Sequence, residues 1–97
     1  MTIKVIVELQ AKPGRRAELK SLLESVETKH GPGAAGFLGS TRYEVLDNPN
    51  ILVEIADWES AEVRAVAMQK AMASGDYAPL SELLAAPFRA TIVRQLL

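Results

Sequence analysis

Apolar residues at the start of the chain recur at every second position, which is the spacing of a β-strand. Residues 2–10 carry four of them on one face of the predicted strand: Ile3, Val5, Val7 and Leu9. Ile6 adds an apolar side chain to the opposite face. Over residues 15–30 the spacing becomes helical, with an apolar stripe made of Ala17, Leu19, Leu22, Leu23 and Val26. The chain therefore begins with a strand and a helix, and the glycines from Gly31 onward are predicted to end that helix.

The middle of the chain has the pattern of a β-hairpin followed by a helix. Two apolar-rich runs, residues 37–46 and 51–58, flank residues 47–50, an Asp-Asn-Pro-Asn stretch that favours a turn and interrupts a sheet ladder. Ser60 then provides an N-cap for a helix that is predicted to end near Ala73. The hairpin therefore leads directly into the second helix of the chain.

The last quarter of the chain predicts one short helix and one strand. The helix covers residues 79–85, and Pro87 then interrupts the chain before a strand over residues 88–97. The full order, β-α-β-β-α-(α)-β, is that of a ferredoxin-like fold, an α+β architecture in which a four-stranded antiparallel sheet carries both main helices on one face. No linker or repeat divides this pattern, so residues 1–97 are expected to form a single domain.

The predicted strands are apolar on both faces, whereas an antiparallel sheet with one face in water alternates between apolar and polar residues. Adjacent apolar residues include Val5-Ile6-Val7, Ile51-Leu52-Val53, Ile92-Val93 and Leu96-Leu97. The sheet face away from the helices is therefore expected to be covered as well. The simplest cover is a second copy of the same sheet, which predicts a homodimer formed through the sheet faces.

Composition and charge argue against several classes of partner. A chain of 97 residues buries only about 60–65% of its unfolded surface, so its core is small and dimerisation would stabilise it. The formal net charge of −1 gives no electrostatic attraction for nucleic acid or for an anionic membrane surface. The absence of cysteine and the presence of one histidine argue against thiolate chemistry and metal sites. With no signal peptide and no run near the ~20 apolar residues of a membrane span, a cytoplasmic protein is expected.

Six short motifs resemble those of the antibiotic biosynthesis monooxygenase (ABM) superfamily, and they occur in the same order across essentially the whole chain. They are Lys12-Pro13-Gly14, Gly36-Phe37, the stretch RYEVLDNP from Arg42 to Pro49, Glu54, Trp58-Glu59-Ser60 and Ala86-Pro87-Phe88. The resemblance implies a dimeric α+β barrel, in which two ferredoxin-like sheets pack face to face. It also implies oxidation of a small aromatic, phenolic or quinol-type substrate with molecular oxygen, and no metal, flavin or haem cofactor.

The chain departs from the common pattern of this superfamily at Ala67. Many relatives carry a histidine at this point of the second helix, about seven residues after the serine that follows the tryptophan. Chemistry that depends on that imidazole is therefore not expected here. Degradation of haem, which other relatives perform, is disfavoured further because the C-terminal half of the chain has no histidine.

A cofactor-independent oxygenation needs an apolar pocket, a base for an electron-rich phenol and a donor that stabilises the resulting oxyanion. If residues 47–50 form the hairpin loop, positions whose numbers sum to about 97 lie opposite each other, which pairs Tyr43 with Glu54. Trp58 would share their face of the sheet. Glu54 and Tyr43 are therefore the predicted catalytic residues. Trp58 and Tyr77, which precedes the short third helix, are the predicted substrate-binding residues.

The same residues also have purely structural alternatives. Trp58 would fill the junction between sheet and helix. Glu54 would form an ion pair, for which the available partners are Arg42, Arg89, Arg94 and Lys4. His30, at the end of the first helix, is expected to take part in a C-cap. The charged residues of that helix are expected to face solvent: Arg15, Arg16, Glu18, Lys20, Glu24, Glu27 and Lys29.

Two functions remain open on these observations. The first is a cofactor-independent monooxygenase with its pocket between helices and sheet, which is favoured by Glu54 among apolar neighbours. The second is a non-catalytic dimeric barrel that binds a ligand or acts in a stress response, which is favoured by Ala67. The fold does not separate the two, because ferredoxin-like barrels host many unrelated functions.

Overall fold

The computed structural model describes residues 2–30 and 36–97. Within these ranges the elements follow the predicted order: β1 (Ile3–Gln10), α1 (Arg16–His30), β2 (Phe37–Val45), β3 (Asn48–Trp58), α2 (Ala61–Ala73), α3 (Leu80–Leu83) and β4 (Arg89–Val93). The last strand is shorter than predicted, since residues 94–97 do not continue it. The predicted helix stop at residues 31–33 and the predicted capping role of the His30 side chain lie outside what is described.

The four strands form one antiparallel sheet in the order β2-β3-β1-β4. This order, with two main helices packed on one face, is the ferredoxin-like α+β fold, so the predicted fold class is confirmed. Side chains alternate along each strand, and the helix side of β3 carries its even-numbered residues, from Leu52 to Trp58. The odd-numbered residues of β3 lie on the opposite face, which we call the open face.

The core consists of two groups of buried residues on the helix side of the sheet. In the first, Leu19 and Leu23 of α1 pack with Leu9 and Leu52. In the second, residues of α2 surround four strand residues: Ile3, Val5, Ala56 and Trp58. Of the apolar stripe predicted for the first helix, Leu19, Leu23 and Val26 are buried. Leu22 is partly buried and Ala17 is exposed. Among residues 2–30 and 36–97, no helix is long and apolar enough to cross a membrane.

The junction between β3 and α2 is held by two local hydrogen bonds. Ser60 is the N-cap of α2, as predicted, and its Oγ accepts a hydrogen bond from the Val63 backbone N–H at 3.1 Å. One residue earlier, the Glu59 N–H donates to the Gly36 carbonyl at 2.9 Å. Gly36 has a positive φ of 84°, and a Cβ at this position would lie 2.4 Å from Val63 Cγ1. The start of β2 therefore needs a glycine where it passes under α2.

The hairpin between β2 and β3 has a different register from the predicted one. Val45 lies opposite Asn48, so the loop contains two residues rather than the predicted four. Further along the ladder, Arg42 is opposite Glu54 and Tyr43 is opposite Val53. The predicted pairing of Tyr43 with Glu54 is therefore wrong by one residue, and that shift moves Tyr43 to the open face.

The change of register arises from the sequence of the turn. Glu44 and Val45 are neighbours in β2, yet the residues opposite them in β3 are separated by residues 49–51, which have no partner on β2. Pro49 has no N–H to offer to the ladder, and the Asn48 side chain accepts a hydrogen bond from the Asn50 N–H at 3.0 Å. The bulge therefore absorbs the turn-forming residues inside β3 instead of in a loop.

The open face combines an apolar centre with charged edges. Ile6, Val53, Ile55 and Val93 lie on it and are only partly buried within one chain, and Tyr43 is 49% exposed. Charged pairs stand toward the ends of the strands, such as Lys4 with Asp57, whose side chains are 2.6 Å apart. An apolar centre with a polar rim is typical of a surface that binds another protein surface.

Candidate active site

A cavity lies between the helix side of the sheet and the helices α1 and α2. Its walls are mostly apolar, with side chains that include Val5, Leu23, Val26, Trp58, Met68 and Ala71. Its volume is about 120 Å³. On the same measure a single water molecule needs roughly 10–15 Å³. Phe88, which also lines the cavity, is 44% exposed and marks an opening to solvent. The cavity is thus a sheltered, largely apolar site that a small molecule can reach.

Three charged side chains from distant parts of the sequence meet in the wall of this cavity. Arg42 of β2 reaches Glu27 of α1, with 2.5 Å between its terminal nitrogen and Glu27 Oε2. Its Nε is 3.1 Å from Glu54 Oε2 across the β2-β3 ladder. The Ser40 hydroxyl donates to the other oxygen of Glu27 at 2.8 Å. We call Glu27, Arg42 and Glu54 the acidic-arginine cluster.

The two contacts of Arg42 differ in kind. Its contact with Glu27 is a hydrogen-bonded ion pair, whereas the Nε–H is not directed at the Glu54 oxygen and has no hydrogen-bond partner among the described residues. The Arg42 side chain is only 13% exposed and that of Glu54 20% exposed, so little water reaches either group. Glu54 is therefore held mainly by the charge of Arg42 and not by a well-directed hydrogen bond.

Burial raises the pKa of Glu54 above the usual glutamate value, because apolar surroundings disfavour the ionised carboxylate. The charge of Arg42, with a smaller hydrogen-bonding contribution from the same side chain, opposes this rise in pKa, and the negative charge of Glu27 adds to it. For Glu27, burial works in the same direction, but hydrogen bonds from Arg42 and Ser40 together with the Arg42 charge outweigh it and lower its pKa. The two environments thus move the pKa values of the two carboxyl groups apart, and Glu54 takes up a proton more readily than Glu27.

Aromatic residues complete the cavity at two further points. Trp58 is 7% exposed and stands edge-on to Phe37, with 5.1 Å between ring centroids and 63° between ring planes. Tyr77 lies in the segment before α3, and burial together with the charge of Glu54 raises the pKa of its hydroxyl. Arg64 and Arg42 act in the opposite direction on that hydroxyl. Tyr77 is therefore a neutral hydrogen-bonding group at neutral pH.

Three of the four predicted site residues line the same cavity, namely Glu54, Trp58 and Tyr77. The structure places Tyr43 elsewhere, since it lies on the open face and the cavity is on the other side of the sheet. The ion pair considered as the structural alternative for Glu54 does form, with Arg42 as the partner. Ala67 also lines the cavity, so the position of the frequent superfamily histidine faces the site.

Two charged residues of the cavity wall were not among the predicted site residues. Glu27 was expected on the solvated face of the first helix, yet it lines the cavity. A signal for it was present, because Glu27 is four residues after Leu23 and adjacent to Val26, which places it at the border of the apolar stripe. Arg64 of α2 lines the cavity as well, and nothing in the sequence pattern distinguishes it from a surface arginine.

The arrangement combines a proton acceptor, fixed positive charge and an apolar enclosure. Glu54 is the acceptor, Arg42 keeps its positive charge at the site, and the apolar walls exclude bulk water. Among the described residues no group of three or more His, Cys, Asp or Glu side chains is placed to hold a metal ion. What this set can do chemically is to remove a proton from a weakly acidic aromatic and stabilise the anion that results.

Comparison with solved structures identifies the fold. A conserved protein from Methanosarcina mazei Go1 superposes with a TM-score of 0.85 at 23% identity, covering 99% of this chain and 94% of the other. A candidate antibiotic biosynthesis monooxygenase from Bordetella bronchiseptica has a TM-score of 0.84 at 21% identity, covering 99% and 98%. The chain has the fold of the antibiotic biosynthesis monooxygenases. The expected likeness to ABM proteins is thereby confirmed for the fold.

One ABM-fold neighbour has a stated activity. It is a variant of SnoaB, a cofactor-independent oxygenase from Streptomyces nogalater, with a TM-score of 0.81 at 19% identity over 99% of this chain and 96% of that protein. Searches by sequence give no counterpart, since neither a protein-family model nor a curated protein matches the chain. At such low identity the ABM neighbours share a fold with this chain, and its chemistry has to be argued from its own residues.

Proposed function

We propose that this chain is a cofactor-independent monooxygenase that oxidises a small phenolic or quinol-type aromatic with molecular oxygen. The observation that carries the proposal is the position of Glu54, a largely buried carboxylate of raised pKa that faces a largely apolar cavity beside Arg42. The oxygenase activity stated for SnoaB supports the same reaction class in this fold. Trp58 and Tyr77 are proposed to hold the aromatic substrate, by ring contact and by a hydrogen bond respectively.

Glu54 is proposed to begin the reaction by accepting the acidic proton of the substrate. A raised carboxyl pKa lies closer to the pKa of a phenol, so proton transfer from the phenol to Glu54 is less unfavourable. After the transfer, Glu54 is neutral, and Glu27 and Arg42 remain as a compensated ion pair. The negative charge then resides on the substrate, near the positive charge of Arg42. Glu27 is less suited to this role because its pKa is lowered.

The substrate anion is electron-rich enough to reduce oxygen without a cofactor. For a substrate with an activated methylene group, the anion transfers electrons to O2 and a carbon–oxygen bond forms, which gives a hydroperoxide after protonation. Loss of water from the hydroperoxide breaks the oxygen–oxygen bond and leaves a carbonyl group. One oxygen atom thus enters the product and the other leaves as water, so the methylene carbon is oxidised and both atoms of O2 are reduced.

Oxygen consumption is the direct test of this proposal. With a panel of hydroquinones and anthrone-type phenols, we expect uptake above the uncatalysed rate for at least one compound. The competing function is a non-catalytic ligand-binding or stress-response protein, and the observation that favours it is Ala67 in the cavity wall, where no imidazole is available. Binding of these aromatics without any oxygen uptake across the panel would establish the competing function instead.

We also propose that the protein is a homodimer joined through the open faces of two sheets. The partly buried apolar residues at the centre of that face would then be covered, and the charged pairs would form the rim. Sedimentation at micromolar concentration is expected to give twice the chain mass of 10.5 kDa. Ile55→Glu, at the centre of the open face, is expected to give the monomer mass because an unpaired charge would be buried.

An exposed apolar residue outside the sheet provides the matched control for the dimer. Val66 of α2 is 53% exposed and lies outside the sheet, so Val66→Glu is expected to leave the dimer mass unchanged. A wild-type mass of one chain at micromolar concentration would refute the dimer. Dissociation by both variants alike would show that added charge, rather than its place on the open face, is responsible.

A further inference from the structure

Arg64 is the positively charged residue of the cavity that no acidic residue neutralises. It belongs to α2, is partly buried and lines the cavity. Within residues 2–30 and 36–97 its guanidinium forms neither an ion pair nor a side-chain hydrogen bond. Arg42, the other cavity arginine, is held by Glu27 and Glu54. A partly buried guanidinium next to a ligand cavity, with all its donors available, is suited to bind an anion.

The charge balance of the cavity limits how much negative charge a ligand can bring. Its charged lining residues are Glu27, Arg42, Glu54 and Arg64. Glu27 and Arg42 compensate each other as a hydrogen-bonded ion pair. With Glu54 ionised these four charges sum to zero, but both carboxylates lie against Arg42, and Arg64 has no ion-pair partner among the described residues. A ligand with one carboxylate would give Arg64 a partner and add a single negative charge to the cavity, whereas a phosphate monoester would add nearly two.

A second hydrogen-bonding group lies within electrostatic reach of Arg64. The charge of Arg64 acts on the Tyr77 hydroxyl, where it opposes the effect of burial. Arg64 and Tyr77 therefore both offer donors to the same cavity, whose proton acceptor, Glu54, lies on β3. A planar ligand with an acidic group at one position and a phenolic hydroxyl at another would place the first at Arg64 and the second at Glu54.

We propose that the aromatic ligand of this cavity carries a carboxylate and that Arg64 binds it. This inference rests on the proposed function for the aromatic part of the ligand and adds the acidic group that determines specificity. The planar guanidinium fork matches the two oxygens of a carboxylate, and the low polarity of the walls strengthens the pair. The bound carboxylate also favours the protonated form of Glu54, which makes Glu54 a readier proton acceptor once the ligand is in place.

Isothermal titration with a matched pair of phenols tests this proposal without requiring turnover. The pair is 3,5-dihydroxybenzoate and 3,5-dihydroxybenzamide, which differ in charge and hardly in size. The wild-type protein is expected to bind the acid at least about tenfold more tightly than the amide. Arg64→Met is expected to abolish this preference and leave amide affinity within about threefold, and Arg64→Lys to retain part of it.

Arg16→Met serves as the matched control, because Arg16 lies outside the cavity and pairs with Glu44. This variant is expected to keep the full preference for the acid. Equal wild-type affinities for acid and amide, or binding of neither at millimolar concentration, would overturn the proposal. So would an Arg64→Met variant that loses both ligands equally, since Arg64 would then act through packing.

The binding experiment and the oxygen experiment fail independently. Acid preference that depends on Arg64, in a protein that consumes no oxygen with any phenol, would refute the monooxygenase and retain the carboxylate site. Oxygen uptake in a protein that binds acid and amide alike would refute the carboxylate site and retain the monooxygenase.

Discussion

Replacing Glu54 with glutamine is expected to lower kcat for oxygen uptake by ~10²–10⁴-fold, the usual effect of removing a general base. Glutamine keeps the size and hydrogen-bonding capacity of the side chain but does not accept the substrate proton. The measurement is the initial rate of oxygen consumption with the best substrate of the phenol panel. Glu44→Gln, which changes an exposed carboxylate on the neighbouring strand, is expected to leave kcat within about twofold.

The pH profile gives this prediction a second readout. Because Glu54 must be ionised to accept a proton, the rate is expected to fall as the pH drops through its raised pKa, above the usual glutamate range. That acidic limb should be absent from any residual activity of Glu54→Gln. Unchanged rates in this variant, or an unchanged acidic limb, would remove Glu54 from the mechanism.

Loss of activity in Glu54→Gln should not be accompanied by loss of stability. A group whose pKa is raised in the folded state contributes stability below its unfolded pKa and loses it as the pH rises through the folded pKa. Ionised Glu54 therefore disfavours folding at neutral pH, and a neutral glutamine removes that penalty. Urea unfolding at pH 7 is expected to show a variant at least as stable as the wild type, which excludes misfolding as the cause of lost turnover.

Replacing Arg42 with methionine is expected to reduce the free energy of unfolding by about 3 kcal/mol at pH 7, a typical result of removing one partner of a buried ion pair. Two carboxylates, Glu27 and Glu54, would be left largely buried without a cation. Methionine keeps most of the side-chain volume, so little of the loss would come from a cavity. Urea unfolding monitored by circular dichroism measures the change.

The Arg42→Met effect is expected to depend on pH. Without the guanidinium, burial would raise the pKa of both carboxyl groups in the folded state, so stability would be lost as the pH rises through those values. The difference from the wild type should therefore shrink on acidification toward pH 4. The control is Arg16→Met, whose exposed partner Glu44 makes a change below about 1 kcal/mol the expected result. A pH-independent loss of stability would mean that Arg42 contributes through packing alone.

The sequence predicted the elements correctly because each rests on local chemistry. The period of the first strand, the apolar stripe of the first helix and the Ser60 N-cap all operate within a few residues. The order of these elements, together with the crossover rules of sheets, left the ferredoxin-like fold as the natural arrangement. Glu54 was recognised for a similar reason, since a carboxylate within an apolar strand needs either a partner or a function.

The register of the hairpin could not be obtained in the same way. Asp47, Asn48, Pro49 and Asn50 all favour turns, and the sequence does not show which of them lie in the loop. The chain turns at residues 46–47, so only Asp47 of these four lies in the loop, and residues 49–51 form a bulge in β3. Since strand side chains alternate, this single choice decided that Arg42, and not Tyr43, faces Glu54.

The charges that come from the helices required tertiary structure. Glu27 lies at the border of the apolar stripe of α1, where a small rotation of the helix decides between solvent and cavity. Whether Arg64 lines the cavity depends on the angle at which α2 crosses the sheet, and the residues next to it in sequence do not determine that angle. Charged residues at the border between the buried and exposed faces of a helix are thus the part of a site that sequence periodicity predicts least well.

The position of Trp58 gives the protein an intrinsic optical signal for the state of its site. It is the only tryptophan in the chain, it is buried, and it lines the cavity. Emission excited at wavelengths where tyrosine does not absorb therefore comes from this one indole. Ligand entry, loss of the neighbouring Phe37 ring or admission of water would each change the wavelength or the intensity of this emission. The cavity can thus be followed in solution, in real time and without a label.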